Sequence, residues 1–193
     1  MEATRELVIE RGARSVTMRD IADLSEVTEK TLFNNFGSKD RLVAEATAEK
    51  SADVIAAAHA AEMGGPWRTL LAIAKAIAEA VLERPELARS SVPLLIDPAS
   101  GVRIDDVYHR YVAPEVAELV NKGDLVSGSP RDGLVTLIRL GMITGILGWC
   151  ANDVPDNRLS DHLQWQLAVV LLPFARRAFA EECRAQAARW TLD

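Results

Sequence analysis

Residues 17–43 place two short amphipathic helical patterns on either side of a sharp turn, and this segment restricts the fold more than any other stretch. Its sequence is TMRDIADLSEVTEKTLFNNFGSKDRLV. Thr17 and Thr28 each precede one pattern, and Asp20 follows Thr17 at the spacing of a capping box. Ala22 is small enough for the two helices to approach each other closely. The spacing therefore predicts a helix-turn-helix.

A helix-turn-helix needs apolar side chains that join its two short helices to a supporting helix. The charged N-terminal stretch has helical spacing over residues 2–11, and Gly12 is well placed to end that helix. We expect the interior of the unit to contain Ile21, Ala22, Val27, Leu32 and Phe36.

The second short helix would present mainly polar side chains on its outer face and at its N-terminal end. Hydroxyls and helix N-termini contact phosphates, whereas amides and charged groups reach base edges in the major groove. Spacing alone leaves two interpretations open. The segment either reads DNA or is a pair of capped surface helices that bind nothing.

This segment resembles the N-terminal DNA-binding segment of the tetracycline-repressor (TetR) family of bacterial regulators. The resemblance covers about residues 3–48 and rests on Thr17, Ile21, Ala22, Val27, Thr28, Thr31, Leu32, Phe33, Phe36, Ser38, Lys39 and Leu42. It implies phosphate contacts from Thr17, Thr28, Thr31 and Lys39. It also implies a groove-facing set of Glu29, Lys30, Asn34 and Asn35.

Three features depart from the family pattern. Phe33 stands where the family usually has tyrosine, so the hydroxyl that would contact a phosphate is absent and Phe33 would pack instead. Glu26 stands where the turn often has glycine, and a left-handed backbone there would cost about 1 kcal/mol. Family members often have a basic arm before the first helix, whereas this sequence begins MEATRE. A missing arm would remove phosphate contacts.

The charge of the chain does not favour DNA. The formal net charge is −6, and residues 1–50 contain eight Lys and Arg against ten Asp and Glu, a net of −2. Nonspecific attraction to phosphates should therefore be weak. Affinity would depend on two copies acting together. We expect a homodimer that binds a palindromic site in double-stranded DNA.

The remaining chain favours an all-α fold of about nine helices, because Ala and Leu are abundant and no alternating strand pattern is present. We place a helix-turn-helix domain at residues 1–48 and a larger ligand-binding and dimerisation domain at 49–193. Single helices are predicted over 104–121 and over 161–189, the latter kinked at Pro173.

The larger domain has two candidate sets of site residues. The lining of a small-molecule pocket is expected from Trp67, Leu70, Tyr108, Tyr111, Val112, Met142, Ile146 and Trp149. Subunit contacts in a four-helix bundle, as the resemblance implies, are expected from Gly141, Gly145, Gly148, Leu163, Leu167, Val170, Leu171 and Phe174. Both sets could equally be ordinary core, and the glycines could serve packing within one chain.

Other function classes find little support. Cys150 and Cys183 form no metal or redox motif, and no signal peptide is visible, so we expect a cytoplasmic protein. Residues 134–151 read as a buried helix and not as a membrane span. Asp105 and His109 could share a metal, but two ligands without a third favour a salt bridge. No catalytic motif appears, so neither an enzyme nor a cofactor is expected.

These patterns together predict a ligand-responsive transcriptional regulator. We expect a repressor that a small apolar or aromatic effector releases from its operator. The alternative is an all-helical ligand-binding or interaction protein that has lost specific DNA binding, as Glu26, Phe33 and the missing arm would suggest.

Overall fold

The computed structural model describes Thr4, Glu6, Leu7 and residues 15–190. The described residues form helices and turns, with no strand among them apart from one isolated bridge between Leu125 and Ala175. The all-α prediction is confirmed. Most of the supporting helix predicted over residues 2–11 lies outside the described residues.

The α-helices follow one another with short connections. Their bounds are α1 Met18–Leu24, α2 Glu29–Phe36, α3 Lys39–Ala61, α4 Pro66–Glu83, α5 Pro85–Ser91, α6 Asp105–Tyr111, α7 Ala113–Asn121, α8 Arg131–Cys150, α9 Leu159–Leu171 and α10 Arg177–Ala187. Short 3-10 turns lie at Val92–Leu95, Pro98–Ser100, Asp156–Arg158 and Leu172–Phe174.

Prolines divide two helices that the sequence pattern predicted as continuous. The predicted helix over 104–121 is two helices, since α6 ends at Tyr111 and Pro114 lies in the first turn of α7. The last predicted helix is broken at Pro173 and not merely kinked, because Ala175 adopts an extended backbone. Proline lacks the N–H that would continue the helix, and its ring clashes with the preceding turn.

The chain forms two compact units that alternate along the sequence. The first contains Met1–Ala52 and Val81–Ile104, and the second contains Asp53–Ala80 and Asp105–Asp193. The return of the chain to the first unit after residue 80 was not anticipated from the sequence. The domain boundary after residue 48 stays a prediction.

The first unit is built around an apolar cluster beneath the helix-turn-helix. The cluster contains Leu7, Val16, Met18, Ile21, Ala22, Leu32, Leu42 and Val43, and Phe36, Leu87 and Leu94 pack against it. The expected interior positions are occupied as predicted except at Val27, which is 40% exposed. Val27 lies just beyond the end of α1, where its backbone N–H donates to Ala22 O at 3.0 Å.

The second unit is organised around α8 and α9, which pack along each other. Leu134 and Ile138 of α8 are nearly inaccessible to solvent, as are Leu159 and Leu163 of α9. Glycine at position 145 permits this approach, since a Cβ there would lie 2.6 Å from Leu163 Cδ2. The glycine spacing noted in the sequence thus serves packing between two helices of one chain.

We expect Gly145→Ala to lower the free energy of unfolding by about 1–2 kcal/mol, because overpacking against the buried Leu163 outweighs the better helix propensity of alanine. Gly148→Ala is the matched control, since its Cβ would meet Val154 at an ordinary 3.7 Å. Urea denaturation of both variants measures the difference. Equal free energies of unfolding for Gly145→Ala and Gly148→Ala would contradict the close packing of position 145 against Leu163.

Helix α8 is also long and apolar enough to span a membrane by length and composition, the only such helix in the described ranges. Within the second unit, however, it packs against α6, α7 and α9. Nine of its residues, including Met142 and Trp149, are buried there. The composition of α8 is therefore that of a core helix.

Candidate nucleic-acid interface

Local hydrogen bonds define where each helix of the helix-turn-helix begins. Thr17 caps α1 in a reciprocal capping box, with Asp20 N donating to Thr17 Oγ1 at 3.1 Å and Thr17 N donating to Asp20 Oδ2 at 2.8 Å. Thr28 caps α2 by accepting from Thr31 N at 3.1 Å. These bonds satisfy N–H groups that have no partner inside the helix. The predicted caps at Thr17 and Thr28 are confirmed.

The turn between α1 and α2 passes through Glu26 in the left-handed region, at φ 54°. Glu26 N donates to Asp23 O, and Val27 N donates to Ala22 O at 3.0 Å. This pair of bonds is a Schellman motif, in which glycine is the usual residue at the left-handed position. Glu26 therefore occupies the left-handed position at which a residue other than glycine would cost about 1 kcal/mol.

We expect Glu26→Gly to raise the free energy of unfolding by about 1 kcal/mol, because glycine has no Cβ to strain the left-handed backbone. Glu26→Ala is the control, since it removes the same charge and keeps the strain. Denaturant unfolding compares the three proteins. A glycine variant no more stable than the alanine variant would contradict the strain.

Helix α2 directs a continuous set of side chains into solvent. Leu32 is buried beneath the helix. The exposed set contains Thr28, Glu29, Lys30, Thr31, Phe33, Asn34 and Asn35. The structure thus brings together on one surface all the groove-facing residues implied by the family resemblance. Lys39 lies half-buried at the start of α3 and Thr17 is exposed at the start of α1.

The two threonines of α2 share one hydrogen bond. Thr28 Oγ1 and Thr31 Oγ1 lie 2.9 Å apart, and either hydroxyl could be the donor. Whichever donates, the other keeps its hydrogen for an external acceptor. A phosphate oxygen beside the N-terminus of α2 would provide that acceptor, in a position that the helix dipole also favours.

Several basic side chains near this surface are paired locally with carboxylates. Arg41 Nε lies 2.9 Å from Glu45 Oε1, and Arg19 Nε lies 4.0 Å from Asp23 Oδ2. Exposed pairs of this kind contribute little to stability but cancel much of each other's field. Among residues 15–52, this surface therefore has no broad basic patch.

The predicted ligand-lining residues all lie in the second unit, and seven of the eight are buried, with Tyr111 half-buried. Trp149 donates its indole N–H to Asp156 Oδ1 at 2.7 Å, and Trp67 packs edge-on against Phe179. Burial raises the pKa of Tyr108 well above its usual range, so this hydroxyl stays protonated. Their role in binding stays a prediction.

Polar pairs in the second unit were not anticipated from the sequence. His59 Nε2 lies 3.0 Å from Glu115 Oε1 and joins the end of α3 to α7. Arg139 Nε lies 2.8 Å from Asp105 Oδ1, so Asp105 pairs with an arginine.

A shallow groove of about 220 Å³ lies along Ala58, Ala61, Glu62, Ala72, Lys75, Ala76 and Glu79. It contains none of the predicted ligand-lining residues.

The predicted subunit contacts divide into two groups. Leu163, Leu167 and Leu171 are almost fully buried within the chain, and Gly141 and Gly145 face α9. Gly148, Val170 and Phe174 are half-buried. Buried leucines cannot reach a second subunit, so a contact through α8 and α9 would use their exposed neighbours.

Residues 1–46 match the family model described as bacterial regulatory proteins, tetR family. This N-terminal segment, the tetR segment, is similar to the tetR family. The tetR segment coincides with the capped helix-turn-helix, so the family resemblance read from the sequence is confirmed. A search of curated proteins gives no significant match.

Solved structures similar to the whole chain share its fold beyond the tetR segment. Thermus thermophilus FadR, a TetR-family transcriptional repressor in complex with lauroyl-CoA, is 20% identical with a TM-score of 0.76, covering 91% of this chain and 93% of that one. RolR in complex with resorcinol is 17% identical with a TM-score of 0.71, covering 100% and 92%. A TetR transcriptional regulator from Rhodococcus sp. RHA1 is 17% identical with a TM-score of 0.69, covering 90% and 93%.

Proposed function

We propose that this protein is a ligand-responsive transcriptional regulator, a repressor that leaves its operator when a small effector binds. The observation that best supports DNA binding is the outward face of α2. Lys30, Asn34 and Asn35 are all exposed there, on a capped helix within the tetR segment. Asparagine amides pair with adenine N6 and N7, and lysine pairs with guanine O6 and N7.

The operator-binding form is a homodimer in this proposal. An exposed apolar strip on α8 and α9 supports it: Leu137, Leu140 and Val169 are 50%, 40% and 42% exposed. Two such strips related by a twofold axis would form a four-helix bundle. Because the first unit has a net charge near −2 over residues 1–50, one subunit alone would bind DNA weakly.

The effector in this proposal is a small apolar or aromatic molecule bound in the second unit. The fold supports it, because RolR and Thermus thermophilus FadR were solved with resorcinol and lauroyl-CoA, respectively. The apolar character of the predicted lining, from Leu70 to Trp149, supports it as well. An effector can release the operator only by binding more tightly to the form that does not fit DNA.

The protein acts in the cytoplasm in this proposal, where its operator is accessible. Its work is binding, without catalysis or a cofactor, as the description of the matching family as regulatory proteins supports. The palindromic site follows from the twofold symmetry of the dimer.

A mobility-shift experiment tests this function. Full-length protein is titrated at low salt into duplexes that flank its own gene, with a scrambled duplex of equal composition as the control. We expect a retarded band on a flanking duplex at protein concentrations that leave the scrambled duplex free. Absence of any selective shift would contradict the regulator and support the alternative, a helical ligand-binding protein that has lost DNA binding.

A further inference from the structure

Phe33 is an apolar side chain within the polar outer face of α2. Its side chain is 47% exposed, whereas the preceding Leu32 is 7% exposed and belongs to the core cluster. Packing within the protein therefore buries only part of the phenyl ring, and the rest is open to solvent. Asn34 follows Phe33 directly and Lys30 precedes it by one helical turn, so the ring lies among the side chains proposed to read bases.

The chemistry of the ring limits what it can contact on DNA. A phenyl group has no donor for a phosphate oxygen, and burying it against a phosphate would leave that charge poorly solvated. In the major groove the one large apolar group is the C5-methyl of thymine, which no other base of ordinary DNA presents. Phenylalanine is among the side chains suited to contact this methyl.

The charge beside Phe33 favours base edges over the DNA backbone. Glu29 lies one helical turn before Phe33, on the same flank of α2, and is exposed. Its carboxylate is repelled by phosphates, whereas it can accept a hydrogen bond from cytosine N4 in the groove. A flank formed by Glu29 and Phe33 is therefore better suited to the groove floor than to the sugar-phosphate strand.

We propose that Phe33 is a specificity-determining residue that recognises the C5-methyl of one thymine in each operator half-site. The inference rests on the proposed function and names what this flank of the same surface reads. Asn34 bonds adenine N6 and N7 beside it, so the two consecutive residues together recognise an A·T step. The methyl contact uses the aromatic ring and needs no hydroxyl group.

The test uses the duplex that the full-length protein selects from a random library. Each thymine of one half-site is replaced in turn by uracil, which removes only the methyl group. We expect one position at which uracil weakens binding of the unaltered protein about threefold to fivefold, the effect of burying one methyl. Replacement in both half-sites should weaken binding about fifteenfold.

Variants identify the side chain that reads the methyl. Phe33→Ala should bind the thymine and uracil duplexes equally, whereas Phe33→Tyr, which keeps the ring, should still discriminate. Asn35→Ala is the matched control on the opposite flank of α2 and should keep the full discrimination. Because Phe33 is half-exposed, thermal unfolding of each variant should stay close to that of the unaltered protein.

The possible outcomes separate this inference from the proposed function. If a site is selected and no thymine position responds to uracil, the proposed methyl contact is wrong. The same holds if Phe33→Ala still discriminates between thymine and uracil. In both cases the proposed function as a DNA-binding regulator is not affected. If the library yields no site, both are wrong. The inference is supported if Phe33→Ala loses the discrimination between thymine and uracil duplexes while Phe33→Tyr and Asn35→Ala keep it.

Discussion

Asn34→Ala should weaken binding to the selected operator about 30-fold or more. A bidentate asparagine–adenine pair contributes about 1–3 kcal/mol of discrimination, and a symmetric dimer loses it twice. Asn34 is exposed on α2, so the thermal unfolding midpoint should not change. Fluorescence anisotropy with a labelled operator duplex measures the loss, and circular dichroism measures the stability.

The control for this variant is Asn121→Ala. Asn121 is exposed as well, at the end of α7 in the second unit, and should leave operator affinity unchanged. Binding to a scrambled duplex at low salt should also stay the same in Asn34→Ala, because phosphate contacts are not altered. Equal operator affinity in the Asn34 variant and the unaltered protein would show that α2 does not read bases through this amide.

Leu140→Glu should convert the dimer to monomers and lower operator affinity by more than about 100-fold. The substitution places a carboxylate in the apolar strip of each subunit, where a closed interface would leave it without solvent or partner. A monomer loses the gain from two half-sites bound together. Sedimentation velocity measures the mass, and anisotropy on the same sample measures binding.

Ile96→Glu is the matched control, since Ile96 is an isoleucine of similar exposure, 49%, outside α8 and α9. It should remain dimeric and bind normally. The monomeric variant should keep its helical circular dichroism, because Leu140 lies on the outside of the second unit. A Leu140→Glu protein that stays dimeric would place the interface on another surface.

The helix-turn-helix could be predicted closely because its determinants are local. Thr17 and Thr28 bond to N–H groups three residues away, and the strain at Glu26 follows from the bonds that end α1. Interactions of this range depend on residue type and spacing, both of which are visible in the sequence. The same locality makes the exposed face of α2 predictable.

The rest of the first unit depends on contacts between distant residues. Leu87 and Leu94 pack against the core that includes Ile21 and Leu42. An apolar residue after a proline-interrupted helix gives no indication of which core it joins. Val27 was wrongly predicted to lie in this core, since it is 40% exposed.

The second unit shows a different limit of sequence reasoning. The glycines of α8 left open whether they contact a second subunit or pack within the chain, and Gly145 lies against Leu163 of α9 in the same chain. Periodicity cannot distinguish an internal partner from a second copy. It also cannot place the His59–Glu115 pair, whose members are 56 residues apart.

Selection of duplexes from a random library by the full-length protein is the most direct test of the central claim. The protein is immobilised, bound duplexes are amplified over several rounds at low salt, and the enriched sequences are aligned. We predict an enriched palindrome with A·T steps at matching positions in its two half-sites, about one or more helical turns apart. If the protein is shown to be folded and dimeric and no sequence is enriched over the input library, the claim that this protein recognises specific DNA sequences is contradicted.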